Sequence, residues 1–258
     1  MDREPALRHY YRALISAWGP QGWWPARTRF EVIVGAFLTQ NTAWSNVESA
    51  LEALRRAGLL TVAGVRRAPE ARLARLIRSA GYFRQKARRL KNFVRHLDKR
   101  YGGSLERMFA RPTHELRAEL LALNGIGPET ADSILLYAGG HASFVVDAYT
   151  RRILERHGLA GKKWQYDRVR ELFERSLESE PPFRVSSFEF SEEASAFRRA
   201  KFHPPATSPT ARVYNEYHAL LVRVGKHHCR KQQALCAGCP LEPFLAAKTR
   251  PAAARRGI

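Results

Sequence analysis

The sequence predicts an all-α fold, on three observations. Apolar residues recur at helical spacing, as in Val47, Leu51 and Leu54, and again in Leu116, Leu120 and Leu123. Turn signals at Gly19-Pro20, Gly102-Gly103, Arg111-Pro112-Thr113 and Gly139-Gly140 cut the chain into helix-length pieces. There is no sustained apolar–polar alternation of the kind a half-buried strand needs, and no internal repeat.

Bulk composition narrows the function classes. With 258 residues, 45% of them hydrophobic, the chain can bury a substantial core. Its 44 Lys+Arg against 24 Asp+Glu leave a formal charge of +20, which favours a polyanionic partner, most commonly nucleic acid. Part of the Arg-rich run Arg84 to Arg100 is also what an arginine-favouring composition would produce. No apolar run reaches membrane-span length, and the first residues lack a signal-peptide core, so an intracellular, cytoplasmic protein is expected. Cys229, Cys236 and Cys239 are the only cysteines and fall within 11 residues. A disulfide framework would be spread along the chain; a cluster this tight suggests a metal or iron–sulfur site.

Taken in order, the elements read as follows. Ser104 before Leu105-Glu106-Arg107, and Thr113 before Leu116, look like capped helix starts. Gly125-Ile126-Gly127 is a tight turn in which glycine lets the backbone approach another surface, and Pro128 suits the first turn of the helix that follows. Amides there can face a phosphate, with Ile126 as the core anchor, although a bare Gly-x-Gly would equally serve as a ligand-free helix joint. Asp147, after Val145-Val146, reads either as the N-cap of the next helix or as a half-buried acid–base group. The stretch Glu178 to Arg212, rich in Pro and Ser, reads as an exposed loop or insertion, and residues 246–258 as a flexible basic tail.

Several of these segments, in this order, resemble the endonuclease III superfamily of helix-hairpin-helix DNA glycosylases, including 3-methyladenine DNA glycosylase III. The resembling segments are Trp23-Trp24-Pro25, Phe37 to Thr42, Gly81 to Ala87, Leu123 to Asp132, Val145-Val146-Asp147 with Arg151-Arg152, and the cysteine cluster. Similarity runs from about Trp23 to Gly158 and resumes from Tyr214 to Leu241. The resemblance implies a two-lobed molecule: a helical barrel lobe over 28–140, ending in the hairpin, and a second lobe from 1–27 plus 141–245, with Asp147 in the cleft between them. It assigns DNA contact to Gly125, Ile126, Gly127 and Thr130, and insertion into the space left by a flipped base to Gln40. Trp23, Trp24 and Trp44 would sandwich that base, although packing alone would account for each of them singly.

The same resemblance makes Asp147 the catalytic carboxylate that stabilises an oxocarbenium-like transition state. Bifunctional members carry a Schiff-base lysine where this chain has Glu129, so a monofunctional enzyme using water is implied. Glu129 would then orient water or bind the base, or simply favour the helix dipole. Cys229-x6-Cys236-x2-Cys239 matches three ligands of a [4Fe–4S] loop, while the fourth position is Leu245. His227, His228 or Glu242 could complete the set, and zinc is the alternative metal. The expected activity is removal of a damaged base, an alkylated purine foremost, from double-stranded DNA by a monomeric base-excision-repair enzyme. The alternatives are a bifunctional glycosylase/lyase on oxidised pyrimidines or mismatched thymine, a non-catalytic damaged-DNA binding protein, and a redox-sensing DNA protein.

Overall fold

The structure, a computed structural model, describes residues 3–24, 26–178 and 208–245. Among them the regular structure is helical. In chain order the helices are α1 (Arg3–Trp18), α2 (Arg29–Leu38), α3 (Trp44–Arg56), α4 (Val62–Arg67), α5 (Glu70–Leu76), α6 (Phe83–Tyr101), α7 (Leu105–Phe109), α8 (Thr113–Leu121), α9 (Pro128–Ser133), α10 (Ala148–Arg156), α11 (Tyr166–Glu178) and α12 (Pro209–His227). α9 runs on into a π-helical stretch, Ile134–Gly139. The extended pairing among the described residues is an isolated bridge between Cys229 and Ala234. No described helix is long and apolar enough to cross a membrane.

The chain divides into two compact units. One gathers the described residues of Trp24–Ser143 with Ser208, the other those of Met1–Trp23, Phe144–Arg198 and Pro209–Ile258.

In the Trp24–Ser143 unit the core is α2. Phe30, Val32, Ile33, Val34, Ala36, Phe37 and Leu38 are all buried, the pattern of a helix enclosed on every side. Thr28 caps its start by accepting the Glu31 amide at 3.1 Å, and the buried Glu31 carboxylate is paired with Arg55 at 2.5 Å. Its C-terminal end is closed from α6. The buried Lys86 ammonium donates to the carbonyls of Leu38 (2.9 Å), Gln40 (2.8 Å) and Ala80 (2.8 Å). Lys91, five residues on, does the same for Val65, Arg66 and Ala68 at the end of α4. A cation at a helix C-terminus satisfies orphan carbonyls and complements the dipole. The apolar stripe Val47, Leu51 and Leu54 is buried on α3, as its spacing requires. Leu116 and Leu120 are buried on α8, whereas Leu123 lies past the helix end and is half-buried. Ser104 caps α7 by accepting the Arg107 amide. Thr113 does not cap α8. It is the first helical residue after Pro112, and its hydroxyl pairs with His141 Nδ1 at 2.9 Å.

In the other unit α1 packs through Leu7, Tyr10, Tyr11 and Leu14, with the buried Tyr217 hydroxyl of α12 donating to the Leu7 carbonyl at 2.9 Å. Tyr10 meets His157 at 2.7 Å. α12 lies against α10 at Gly225, where a Cβ would overlap the Tyr149 ring; Arg152 of α10 donates to the Gly225 carbonyl at 3.2 Å. The Pro/Ser-rich stretch expected to be irregular from Glu178 to Arg212 is shorter at its ends: Glu178 closes α11 and Pro209–Arg212 open α12. Pro209 reads as loop punctuation in sequence but is a permitted first-turn residue in a helix. The rest of that stretch, 179–207, and the tail 246–258 lie outside the described residues.

Two predictions follow from this packing. Lys86→Met strips three inward carbonyls of their donor and is expected to cost about 3 kcal/mol in urea unfolding, by the penalty for buried polar groups left unpaired. Burial pushes the His157 pKa from its ordinary 6.5 down to about 4. Between those values the unfolded chain binds the extra proton, so stability is complete above pH 6.5 and is lost as pH falls toward 4. Burial lowers His218 and His141 in the same direction. The melting temperature should therefore drop from pH 7 to pH 5, and His157→Gln should flatten part of that slope; a pH-independent Tm would refute the reading.

Candidate active site and nucleic-acid interface

The hairpin belongs to the Trp24–Ser143 unit. Gly125 has φ +88°, open to glycine, and the Arg89 side chain occupies the space where a Cβ would stand. Gly127 is in extended backbone, with nothing near the position of a Cβ, so its surface is open to approach. Ile126 is buried, and Pro128 starts α9 as a first-turn proline. Beneath the turn, Asp132 is fully buried, held bidentately by Arg117 (2.7 and 3.1 Å) and by the Ser143 hydroxyl at 2.6 Å. This anchor fixes α9 and hence the direction of the hairpin amides. Glu129 is exposed in the first turn of α9.

Gln40 lies in a turn after α2, not on a helix. Its amide nitrogen donates to the Gly125 carbonyl (3.0 Å) and the Thr130 hydroxyl (2.9 Å), and its oxygen accepts from Arg89 at 2.6 Å. Gln40 and Thr130 thus brace the hairpin from inside. A different residue stands out: Tyr82 is 70% exposed and holds φ +44° immediately before α6. A bulky residue in the left-handed region is strained, and such strain concentrates at functional positions. Tyr82 stands inside the resembling segment Gly81 to Ala87, and its exposure and backbone geometry are visible only in three dimensions.

Two of the three tryptophans, Trp24 and Trp44, belong to this unit. Trp24 is buried, edge-on to Trp44 (centroids 5.3 Å, interplanar 86°), tilted against Tyr137 (5.1 Å), and seated over Gly35. Trp44 is half-buried. Trp23 belongs to the other unit, where the Lys226 ammonium lies 5.6 Å from its ring centroid. Lys86, an amine inside the resembling segment Gly81 to Ala87, is fully engaged with the three carbonyls described above; burial and then Arg89 push its pKa down to about 8.

In the second unit the chain enters α10 through Phe144-Val145-Val146, all buried. Phe144 stacks on Phe173 at 4.1 Å, its amide donates to Glu174 (3.0 Å), and the Val146 amide donates to the Tyr166 hydroxyl (3.2 Å). These contacts deliver Asp147 to the N-cap of α10, where Oδ1 accepts the Thr150 amide at 2.7 Å. Its side chain is 14% exposed, and Oδ2 lies 3.7 Å from Nε2 of the buried His218 on α12. His218 falls inside the resembling block but carried no assigned role, because only tertiary packing brings it to Asp147.

The cysteine loop is clamped to α10. Arg152 donates to the Cys229 carbonyl (2.7 Å), and Arg156 donates to the carbonyls of Arg230 (2.8 Å) and Lys231 (3.1 Å) and approaches Cys229 Sγ at 3.3 Å. All three cysteines line one cavity of about 390 Å³ with Leu245, His228 and Glu242. Leu245, at the fourth position of the spacing, is buried there. His228 Nδ1 is paired with the Leu235 carbonyl and Glu242 accepts the Gly238 amide at 3.2 Å, while His227 is absent from the lining. Burial, and then Cys229 and Glu242, push the Cys236 thiol up; burial raises Cys239 too. Among the described residues no group of three or more His, Cys, Asp or Glu side chains is arranged to hold a metal ion. A donor set of three thiols and a leucine does not fit a cluster that takes four thiolates.

Comparison with known proteins agrees with this geometry. The family model described as HhH-GPD superfamily base excision DNA repair protein matches residues 34–179. A Methanocaldococcus jannaschii protein, named as a candidate DNA repair glycosylase, is 42% identical over 239 residues, covering 92% of this chain and 94% of its own. The crystal structure of H. pylori 3-methyladenine DNA glycosylase bound to 1,N6-ethenoadenine superposes with a TM-score of 0.67 at 27% identity, over 88% of this chain and 98% of that one. A non-covalent endonuclease III–DNA complex superposes at 0.66 with 20% identity, over 96% and 97%, a likeness of fold. The chain belongs to the HhH-GPD superfamily of base excision DNA repair proteins and is a DNA glycosylase of that family.

Proposed function

We propose that the chain is a monofunctional DNA glycosylase that hydrolyses the N-glycosidic bond of an alkylated purine in double-stranded DNA, acting as a monomer inside the cell. The observation that carries the monofunctional reading is the fate of the candidate amines. Position 129 is a carboxylate, and the Lys86 ammonium is spent on three backbone carbonyls. Neither can attack C1′ to form a Schiff base.

In this reading the hairpin amides around Gly125 and Gly127 receive a backbone phosphate, with Gln40 and Thr130 holding the turn rigid. Tyr82 enters the base stack as the target base is extruded, since an exposed, rigidly presented aromatic ring suits a wedge. Trp44 and its neighbours offer a π-face, which a cationic alkylated base binds better than a neutral one. The C1′–N9 bond breaks with its electron pair leaving on the base; a base that starts cationic departs neutral and needs no proton donor. Asp147 stabilises the positive charge on the sugar and takes the proton of the water whose oxygen bonds to C1′, leaving free base and an abasic site. Glu129, exposed at the start of α9, orients that water or contacts the base. The ethenoadenine-bound H. pylori relative supports the choice of substrate. The three cysteines enter no step.

The test is base release from labelled duplexes carrying an alkylated purine, 1,N6-ethenoadenine, an oxidised pyrimidine, uracil, mismatched thymine or a preformed abasic site, each with and without hot alkali. Strand breaks from the alkylated-purine duplex only after alkali are expected, reduced roughly a thousand-fold in Asp147→Asn. Release of uracil or thymine alone would replace the substrate and keep the mechanism; breaks before alkali with borohydride trapping would overturn the monofunctional reading. Tyr82→Ala is expected to slow excision roughly tenfold from a fully paired duplex and far less when the base is already unpaired, by the cost of unstacking.

A further inference from the structure

We infer that His218 is a positioning residue for Asp147, fixing the direction of the carboxylate oxygen that the N-cap leaves unclaimed; this rests on the reading of Asp147 as the catalytic carboxylate. The two oxygens of Asp147 stand in different settings. Oδ1 is held by the Thr150 amide at 2.7 Å, whereas Oδ2 faces Nε2 of His218 at 3.7 Å. One hydrogen bond leaves a carboxylate free to rotate about its Cβ–Cγ bond; a fixed imidazole 3.7 Å from the other oxygen, beyond hydrogen-bond length, restricts that rotation by its bulk and dipole.

His218 is suited to the task because it is itself fixed. It is 4% exposed, on the face of α12 that continues seven residues on into Gly225. Gly225 seats the Tyr149 ring and receives Arg152, so α12 is locked to α10 in a single register. The Phe144 ring stands edge-on to the imidazole at 6.5 Å, and Phe144 is the residue that begins the segment leading to Asp147. The ring and the carboxylate are therefore set by the same packing. Burial lowers the pKa of His218, against the pull of the Asp147 charge, and so favours a neutral ring. A neutral imidazole directs Oδ2 by its dipole and leaves the carboxylate's negative charge for the sugar cation. An imidazolium would consume it as an ion pair.

The experiment compares single-turnover excision by wild type, His218→Gln, His218→Met and Asp147→Asn, with duplex affinity and melting temperature measured for each. Gln keeps a polar nitrogen at the reach of Nε2; Met fills the volume without one and packs adaptably. The expected result is a loss of about ten- to a hundred-fold in rate for Met, with affinity unchanged and most of the rate recovered in Gln, the scale on which a misplaced catalytic group costs rate. Equal rates for Gln and Met would overturn the inference, whatever their stabilities. Full activity in Asp147→Asn would instead refute the reading of Asp147. A second readout needs no His218 variant: the imidazole nitrogen resonances of His218 should shift when Asp147 becomes Asn, and an unchanged spectrum would overturn the coupling.

Discussion

The close approach of α12 to α10 is the constraint on which the Asp147 unit depends. It requires a residue without a side chain at 225, because the Tyr149 ring occupies that space. Once the two helices are in register, three features spaced along α12 and the turn after it come to rest against α10. His218 meets Asp147 at its N-terminus, Gly225 receives Tyr149 and Arg152, and Cys229 meets Arg152 and Arg156 near its end. A cavity or overlap at this contact would be felt by all three, since packed interiors transmit displacement instead of absorbing it.

The hairpin unit solves its own problem by different means. Its hairpin must be both backbone-exposed and rigid, two demands that conflict because exposed turns are ordinarily mobile. The solution is polar bracing from beneath. Gln40 and Arg89 tie the turn from one side, and the buried Arg117–Asp132–Ser143 cluster ties α9 from the other. Lys86 closes the segment that carries Gln40, so the brace has a fixed footing. Buried charges of this kind are costly unless every partner is present, and here each acid has its base.

Much of this was legible in one dimension, and what was not has physical causes. The apolar stripe of α3, the Ser104 cap and the proline start of α9 follow from local chemistry and stand where their spacing puts them. Asp147 could be read both as cap and as carboxylate; the cap is what the backbone shows, and it engages one oxygen only. Contacts between distant segments were illegible. The hydrogen bonds from Gln40 to Gly125 and Thr130 join segments far apart in sequence, and Tyr82 reads as an ordinary helix-start residue until its exposure is known. Trp23 and Trp24 are adjacent in sequence yet belong to different units, a boundary no pairwise motif encodes. Ser208-Pro209 reads as a break, although the same dipeptide opens a helix when apolar residues follow at helical spacing.

The cysteine loop carries a consequence of its own. Its path is held by guanidinium nitrogens on backbone carbonyls, with one sulfur contact beside them. Bonds between arginine and carbonyl oxygen have no oxidation state. A change in the state of the thiols leaves those carbonyl contacts their chemistry, and the Arg156–Cys229 Sγ contact is where it reaches the clamp. The clamp between the loop and α10 is thus largely indifferent to the oxidation state of the sulfurs it surrounds.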